Sequence, residues 1–424
     1  SGSAYVVAYD ADNELASFRY ANPGLRIEAA EAPFDLGGTT YPAGSWIIPE
    51  TGNAPELRRT LELAGAEYGF TAVATGQTPT VATHPVATPR VAVVHDWRST
   101  QNEGWLRVGL DEYGIPYDYV SVHAIRDTPD LKDRWDVILM GPTGNAMSVL
   151  TGLEGDEPIL WAPTEHTPNI GRQDATADMR GGVELEGILN LERFLEAGGV
   201  LVTLTSSSDL PVHFGLARGV AIVERPGLWA ERGVFRVEKL EPAHPLGYGF
   251  GDELGVSFGD GPIFATGGGG GRGGSGAGEE LGGPGSTTAR RTGRGTPDDR
   301  DIVQGRPRDW GQEGVEEFMA SEEDDEEDGE DGAVPAVRTV FAFARDPMEV
   351  LISGGVRNPH LLAGAPALVD VRRGQGHVVL FSFNPFWRSH THGSYALVFN
   401  ALLNYGSYVP ATAVISEVPE DGTR

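Results

Sequence analysis

The sequence predicts an α/β fold: a doubly wound, mostly parallel sheet with a small N-terminal α/β module and a long disordered insertion. Three observations predict it. From Arg90 onward, short β-branched runs alternate with helical spacings, the pattern of parallel strands joined by right-handed crossovers. Residues 181–216 then set a helix, a glycine turn, a buried strand and a polar turn in immediate succession. Finally, residues 267–285 are glycine-rich and residues 322–331 acidic. Neither run can bury enough apolar surface to offset the entropy of ordering it.

Taken in order, residues 1–80 form the small module. Residues 5–8 and 44–49 read as strands, the second ending at Pro49. Residues 55–65 (PELRRTLELAG) have helical spacing and a glycine stop. Residues 81–89 are a linker, within a Thr-, Pro- and Ala-rich stretch that starts at Thr75. The larger domain occupies residues 90–265 and 335–410, split by the insertion at 266–334 and followed by a tail at 411–424.

In its first half, residues 91–94, 117–122 and 136–140 read as strands. The helix at 103–113 turns Trp105, Val108 and Leu110 inward and stops at Gly114. Pro158, Pro163 and Pro168 keep residues 151–180 irregular. Leu185, Ile188, Leu191 and Leu195 recur every three or four positions and give the next helix one apolar face. Gly198-Gly199 ends it, because glycine takes the left-handed cap without a side-chain clash. Residues 200–205 suit a strand covered on both faces, and Ser206-Ser207-Ser208-Asp209 suit the cap of another helix. Residues 234–240 read as an edge strand. Residues 337–344 are a further strand, and 367–371 with 376–383 form a hairpin. A final helix, 395–403, carries Ala396, Phe399, Asn400 and Leu403 along one side.

The formal net charge is -29 across 424 residues. So acidic a chain is a poor partner for nucleic acid or an anionic membrane, both of which need a basic face. Lys132 and Lys239 are the only lysines, which fits either a codon bias toward arginine or a salt-adapted acidic surface. The absence of cysteine removes disulfides, thiolate metal sites and cysteine nucleophiles. No apolar run reaches the ~18 residues of a membrane span. The start at Ser1, with no visible signal peptide, suggests a fragment or processed product. The acidic run in the insertion lacks the spacing of a calcium loop and reads as a solvated loop.

Several segments together carry a family likeness. They are Asp96-Trp97, Asn102-Glu103-Gly104-Trp105-Leu106-Arg107, Gly114-Ile115-Pro116-Tyr117 and Arg180-Gly181-Gly182. Asn190-Leu191-Glu192-Arg193-Phe194, Gly198-Gly199-Val200-Leu201-Val202 and Ser206-Ser207-Ser208-Asp209-Leu210 come next. His244-Pro245-Leu246 and the run from Gly376 through Trp387-Arg388 to Phe399-Asn400 complete the set. In order and spacing this set resembles the C-terminal region of large bacterial proteins of the carboxypeptidase A-like zinc metallopeptidase family, over residues 1–405 outside the insertion. The resemblance implies a flavodoxin-like or class I glutamine amidotransferase-like fold. It also implies an exported parent protein whose zinc lies in an upstream peptidase domain. That upstream domain is the expected partner, with self-association a further possibility. The chain itself has no His-x-x-Glu zinc motif, so no cofactor is expected within it.

A class I amidotransferase places a cysteine on a sharp strand-to-helix turn, with a His and a Glu near the C-terminus. Here the turn is Thr205-Ser206-Ser207-Ser208, and the resemblance puts Asn384 where His would stand and Phe386 where Glu would stand. Gly141-Pro142 keeps the look of an oxyanion-hole turn. The leading expectation is a non-catalytic accessory region for packing, oligomerisation or substrate presentation. Two alternatives stay open. One is a hydrolase, using Ser206 or Ser207 with His213 as base, or a metal held by His390 and His392 with a third ligand from His95, Asp96, Glu165 or His166. The other is a peptide- or carbohydrate-binding module in the cleft at the strand ends. Arg107 and Arg388 are the candidate ligand-binding cations, with Asn384 beside them.

Overall fold

The N-terminal segment folds as an antiparallel sheet that the rest of the chain builds upon. The computed structural model describes residues 3–259, 261–267 and 336–408. It opens with strand β1 (Ala4–Val7), helix α1 (Asn13–Ala21), β2 (Glu28–Ala30), the hairpin β3 (Phe34–Leu36) and β4 (Thr39–Tyr41), and β5 (Trp46–Pro49). Helix α2 (Leu57–Tyr68) and strands β6 (Ala72–Thr75) and β7 (Thr83–Pro85) complete it. The sheet order is β6-β1-β5-β2-β7.

Two expectations change here. The supposed linker at 81–89 contains β7, which pairs with β2. An edge strand tolerates Pro85, which has no N–H to donate. Helix α2 runs through Gly65 and stops at Gly69, which takes φ 80°. Gly65 serves a close approach instead, since a Cβ there would lie 2.6 Å from the Phe70 carbonyl oxygen. The module also shares its core with the larger domain. Phe18, Trp46 and Leu61 belong to the same apolar cluster as Val93, Val202 and Phe399.

The next elements are β8 (Val91–His95), α3 (Thr100–Glu112), β9 (Asp118–Ser121), α4 (Val122–Asp127), α5 (Leu131–Arg134) and β10 (Val137–Met140). Then come α6 (Ala146–Thr151), α7 (Glu184–Glu196), β11 (Val200–Leu204), a short 3-10 turn and α8 (Asp209–His213). Strands β12 (Val220–Ile222), β13 (Trp229–Ala230), β14 (Gly233–Lys239), β15 (Glu253–Phe258) and β16 (Phe264–Thr266) lead to the insertion. Its acidic run and most of its length lie outside the described residues, as does the 411–424 tail. The chain returns as β17 (Val337–Phe343), β18 (Leu351–Ser353), β19 (Val356–Arg357), β20 (Pro366–Arg373), β21 (Gly376–Phe381) and α9 (His392–Leu403).

A ten-stranded mixed sheet lies at the centre, in the order β15-β14-β17-β20-β21-β11-β10-β8-β9, with β18 paired to β14. Strands β21, β11, β10, β8 and β9 are mutually parallel. The remainder are antiparallel, so the sheet is mixed where a mostly parallel one was expected. Counted along the chain, the parallel part runs 2-1-3-4-5. Its order reverses between β8 and β10, the position where open α/β sheets hold ligands.

The winding is double, and the packing shows why the strands are so apolar. Val93, Leu139 and Val202 face one core with Leu106 of α3 and Phe399 of α9. Val94, Ile138 and Leu201 face the other with Ile125 of α4 and Leu191 of α7. With both faces covered, the strands are apolar along their length, except that β8 ends in His95 and β11 carries Thr203, both buried.

Helix faces were read less well. On α7 the buried set is Gly187, Ile188, Asn190, Leu191, Phe194 and Leu195, while Leu185 is 64% exposed. On α3 the inward residues are Glu103, Leu106, Gly109 and Leu110, and Val108 points outward. β14 is an interior strand with β15 on one side and β17 and β18 on the other. α9 is buried all round from Ser394 to Leu403, because the N-terminal module covers the side that an ordinary surface helix would expose.

The Gly198-Gly199 turn divides its labour. Gly198 takes φ 88°, whereas a Cβ on Gly199 would lie 2.4 Å from the Phe194 ring. Gly199→Ala is therefore expected to cost about 1–3 kcal/mol through overpacking, read from urea denaturation, with Gly198→Ala adding left-handed strain instead.

Candidate functional site

The carboxyl ends of β8 and β9, the start of α3 and the irregular segment 151–180 enclose a cavity of about 610 Å³. His95, the last residue of β8, is 3% exposed. It stacks on Tyr119 of β9 with centroids 4.3 Å apart and meets Trp97 edge-on at 4.5 Å. Its Nε2 lies 2.8 Å from Asp174 Oδ2. The chain bends sharply at this point, and Trp97 takes φ 67°, a conformation costly for a bulky residue. Asp96 fixes the bend by accepting from the backbone N–H groups of Arg98 and Ser99.

A second polar chain runs behind the first. Glu103, 2% exposed, accepts from Arg107 Nε at 2.6 Å and from the Tyr119 hydroxyl at 3.1 Å. Arg107 lies 4.3 Å over the Tyr119 ring and also donates to Gln173 Oε1. Burial pushes the Glu103 carboxyl up, while Arg107 and Tyr119 pull it back. Burial holds the His95 imidazole below its usual range, against the pull of Asp174. His95 is therefore neutral near pH 7 and donates from Nε2 to the carboxylate. Its Nδ1 and the Trp97 indole N–H are buried with no hydrogen-bond partner among the described residues. Gly141 lets α3 approach closely, since a Cβ there would touch Glu103 at 3.0 Å. That contact gives the Gly141-Pro142 turn a packing role.

Of the ligand-binding cations expected from sequence, Arg107 lines this cavity. Arg388 does not. It is exposed, takes φ 50° and lies 5.0 Å over Trp387. Asn384 is buried, accepts from the Phe386 N–H and takes the loop after β21 onto Ser257. Phe386 fills the space between Gly109 and Tyr395.

The turn after β11 holds serines whose hydroxyls are already committed. Ser206 Oγ donates to the Thr143 carbonyl at 2.7 Å. Ser207 is buried, lies within hydrogen-bonding distance of the Met140 and Leu204 carbonyls, and accepts from the Leu204 N–H. His213 is exposed at the end of α8, edge-on to Phe214, and makes no hydrogen bond to either serine. The structure thus brings no Ser–His pair together. Of the three serines expected to cap the next helix, Ser207 bonds the backbone of its own turn and Ser206 ties that turn to the Thr143 loop. Ser208, at the N-cap of α8, makes no side-chain cap bond and pairs with the Thr203 hydroxyl. The residue under strain is Thr205, β-branched yet at φ 53°.

The metal candidates also separate. His392 packs on Tyr395 and has the Tyr113 hydroxyl at Nδ1 and the Ser389 carbonyl at Nε2, while His390, Glu165 and His166 are exposed. Among the described residues, no three His, Asp or Glu side chains come together to hold a metal ion, nor is any helix long and apolar enough to cross a membrane.

Sequence reasoning missed Glu103, Tyr119, Trp161 and Asp174 as site residues. The Glu103–Arg107 pair at i,i+4 was a usable signal. Nothing local marks Asp174, which meets His95 across 79 positions.

No family model matches the chain, and no curated protein matches it. Among solved structures, a cytoplasmic protein of Salmonella typhimurium is 12% identical with a TM-score of 0.35, covering 74% of this chain and 97% of that one. A protein described as ThuA-like, from Bacteroides uniformis, is 8% identical with a TM-score of 0.35, covering 76% and 93%. A protein described as a GMP synthase component, from Thermoplasma acidophilum, is 11% identical with a TM-score of 0.34, covering 74% and 92%.

Proposed function

We propose that this chain is the non-catalytic, class I amidotransferase-like accessory region of a carboxypeptidase-like zinc metallopeptidase. In this reading it works by recognising a small ligand in the cavity beside His95. The strand order 2-1-3-4-5 with two covered faces supports the fold assignment. One observation carries the non-catalytic reading: both elbow serines are tied to backbone groups and neither meets a base. A nucleophilic hydroxyl needs a general base within hydrogen-bond reach. The role left to the chain is recognition, with the ligand displaced from the elbow to the head of β8 and β9. The zinc and the peptide-bond chemistry belong, in this reading, to an upstream domain.

The test is an amidase, esterase and peptidase screen of the 424-residue chain, with and without zinc. No turnover above the uncatalysed rate is expected. Turnover that survives a chelator and disappears in Ser206→Ala would favour the hydrolase alternative instead.

A further inference from the structure

Resting on that reading of the cavity as a recognition site, we propose that its ligand is a neutral, polyhydroxylated molecule, a sugar or a segment of a glycan. Three features of the wall point to this class.

The first is size. About 610 Å³ sits within the ~300–1,000 Å³ typical of small-molecule sites.

The second is charge. The cations at the wall are Arg107 and Arg172, the anion there is Asp174, and the Glu103 and Asp96 carboxylates are buried behind it. Three carboxylates against two guanidinium groups leave no positive field to hold a phosphate or a carboxylate. An anion would also meet the Asp174 carboxylate directly.

The third is the lining chemistry. Asn169, Gln173 and Asp174 offer planar donors and acceptors on one segment, and Trp161 faces the same space from the other arm of that segment. The two arms are clipped together by the backbone pair Trp161–Thr176, whose N–H groups donate to each other's carbonyls at 3.0 and 2.9 Å. A pyranose presents a C–H face that an indole covers and hydroxyls that amide and carboxylate groups satisfy in pairs. Tyr119 does not serve as the platform. His95 and Arg107 already lie against its ring, so Tyr119 holds the wall in place while Trp161 meets the ligand.

The decisive experiment titrates the full chain with neutral mono- and oligosaccharides, and in parallel with citrate and inorganic phosphate. Tryptophan fluorescence and calorimetry read the binding. A neutral sugar is expected to bind, with at least a tenfold loss in both Trp161→Ala and Asp174→Asn, while circular dichroism confirms that each variant is folded. Tighter binding of oligosaccharides identifies a glycan chain, and equal binding identifies a free sugar. Sugar binding unchanged in both variants would place it elsewhere and overturn the proposal. If citrate or phosphate binds instead, and Arg172→Ala abolishes it, the sugar class is wrong while the recognition reading stands. If none of the probes binds, both fail.

Discussion

Replacing Asp370 with alanine is expected to cost about 3–5 kcal/mol of folding stability. Asp370 is buried between two histidines. His244 Nε2 lies 3.1 Å from one carboxylate oxygen and His377 Nδ1 2.8 Å from the other. His244 Nδ1 accepts from the Leu246 N–H, so its proton is on Nε2 and points at Asp370. Burial pushes the Asp370 carboxyl up, but His377 and His244 outweigh it and hold the group well below the usual carboxylate range. Alanine would leave two buried imidazole N–H groups without acceptors. Urea denaturation should show a lower midpoint with an unchanged slope, and Asp370→Asn a smaller loss, because its amide oxygen still serves one ring.

The same cluster fixes the direction of the pH dependence. Burial lowers the His244 pKa, so below about 6.5 the unfolded chain takes up a proton that the folded chain resists. Stability therefore falls on acidification from about pH 6.5. The Asp370 contribution is present above about 3.9, the unfolded value, and is lost below it. Tyr408, edge-on to the His377 ring, and Arg338, which donates to the Tyr408 carbonyl, are the other titratable and charged groups packed here. Melting temperature should drop between pH 7 and pH 5, and the drop should shrink in His244→Gln. His95, also lowered by burial, accounts for part of the remainder.

The second large effect is expected at Glu103. Glu103→Ala removes the acceptor of both Arg107 and the Tyr119 hydroxyl and should cost about 2–3 kcal/mol, the scale of a hydrogen bond to a charged group. Glu103→Gln should cost less at pH 7, since its amide oxygen still accepts from Arg107, its amide N–H can donate to the Tyr119 hydroxyl oxygen in place of the second bond, and it carries no charge to desolvate. The raised Glu103 pKa has the opposite sign to that of Asp370. Its charged form costs stability as pH rises through the folded value, so on acidification the parent gains on the uncharged Gln variant and the gap between them should widen. Thermal melts across pH 4 to 8 check both signs. Through Arg107 the alanine variant should also loosen Tyr119, and fluorescence of the neighbouring tryptophans should report it.

Legibility differed by element for identifiable reasons. β8, β10 and β11 were plain, because a strand covered on both faces is apolar at nearly every position. The α3 face was misread because Glu103 looks like a solvent residue, and only its pairing with Arg107 and Tyr119 makes its burial tolerable. β14 looked like an edge because its final partners, β15 and β17, lie on either side of the insertion. The serine turn was located correctly, and its hydrogen bonds to Thr143, Met140 and Leu204 favour the non-catalytic expectation over the hydrolase alternative.

The alternation of strand and helix from Arg90, the stops at Gly114 and Gly198 and the place of the β11 turn were written in local sequence, since each depends on residues within one or two turns of each other. The cavity was decided only in three dimensions. Its walls bring His95 to a loop some eighty positions away, and that loop has neither hydrophobic period nor motif. A side chain's chemistry depends on who its neighbours are, and for these residues the neighbours exist only after the chain has closed.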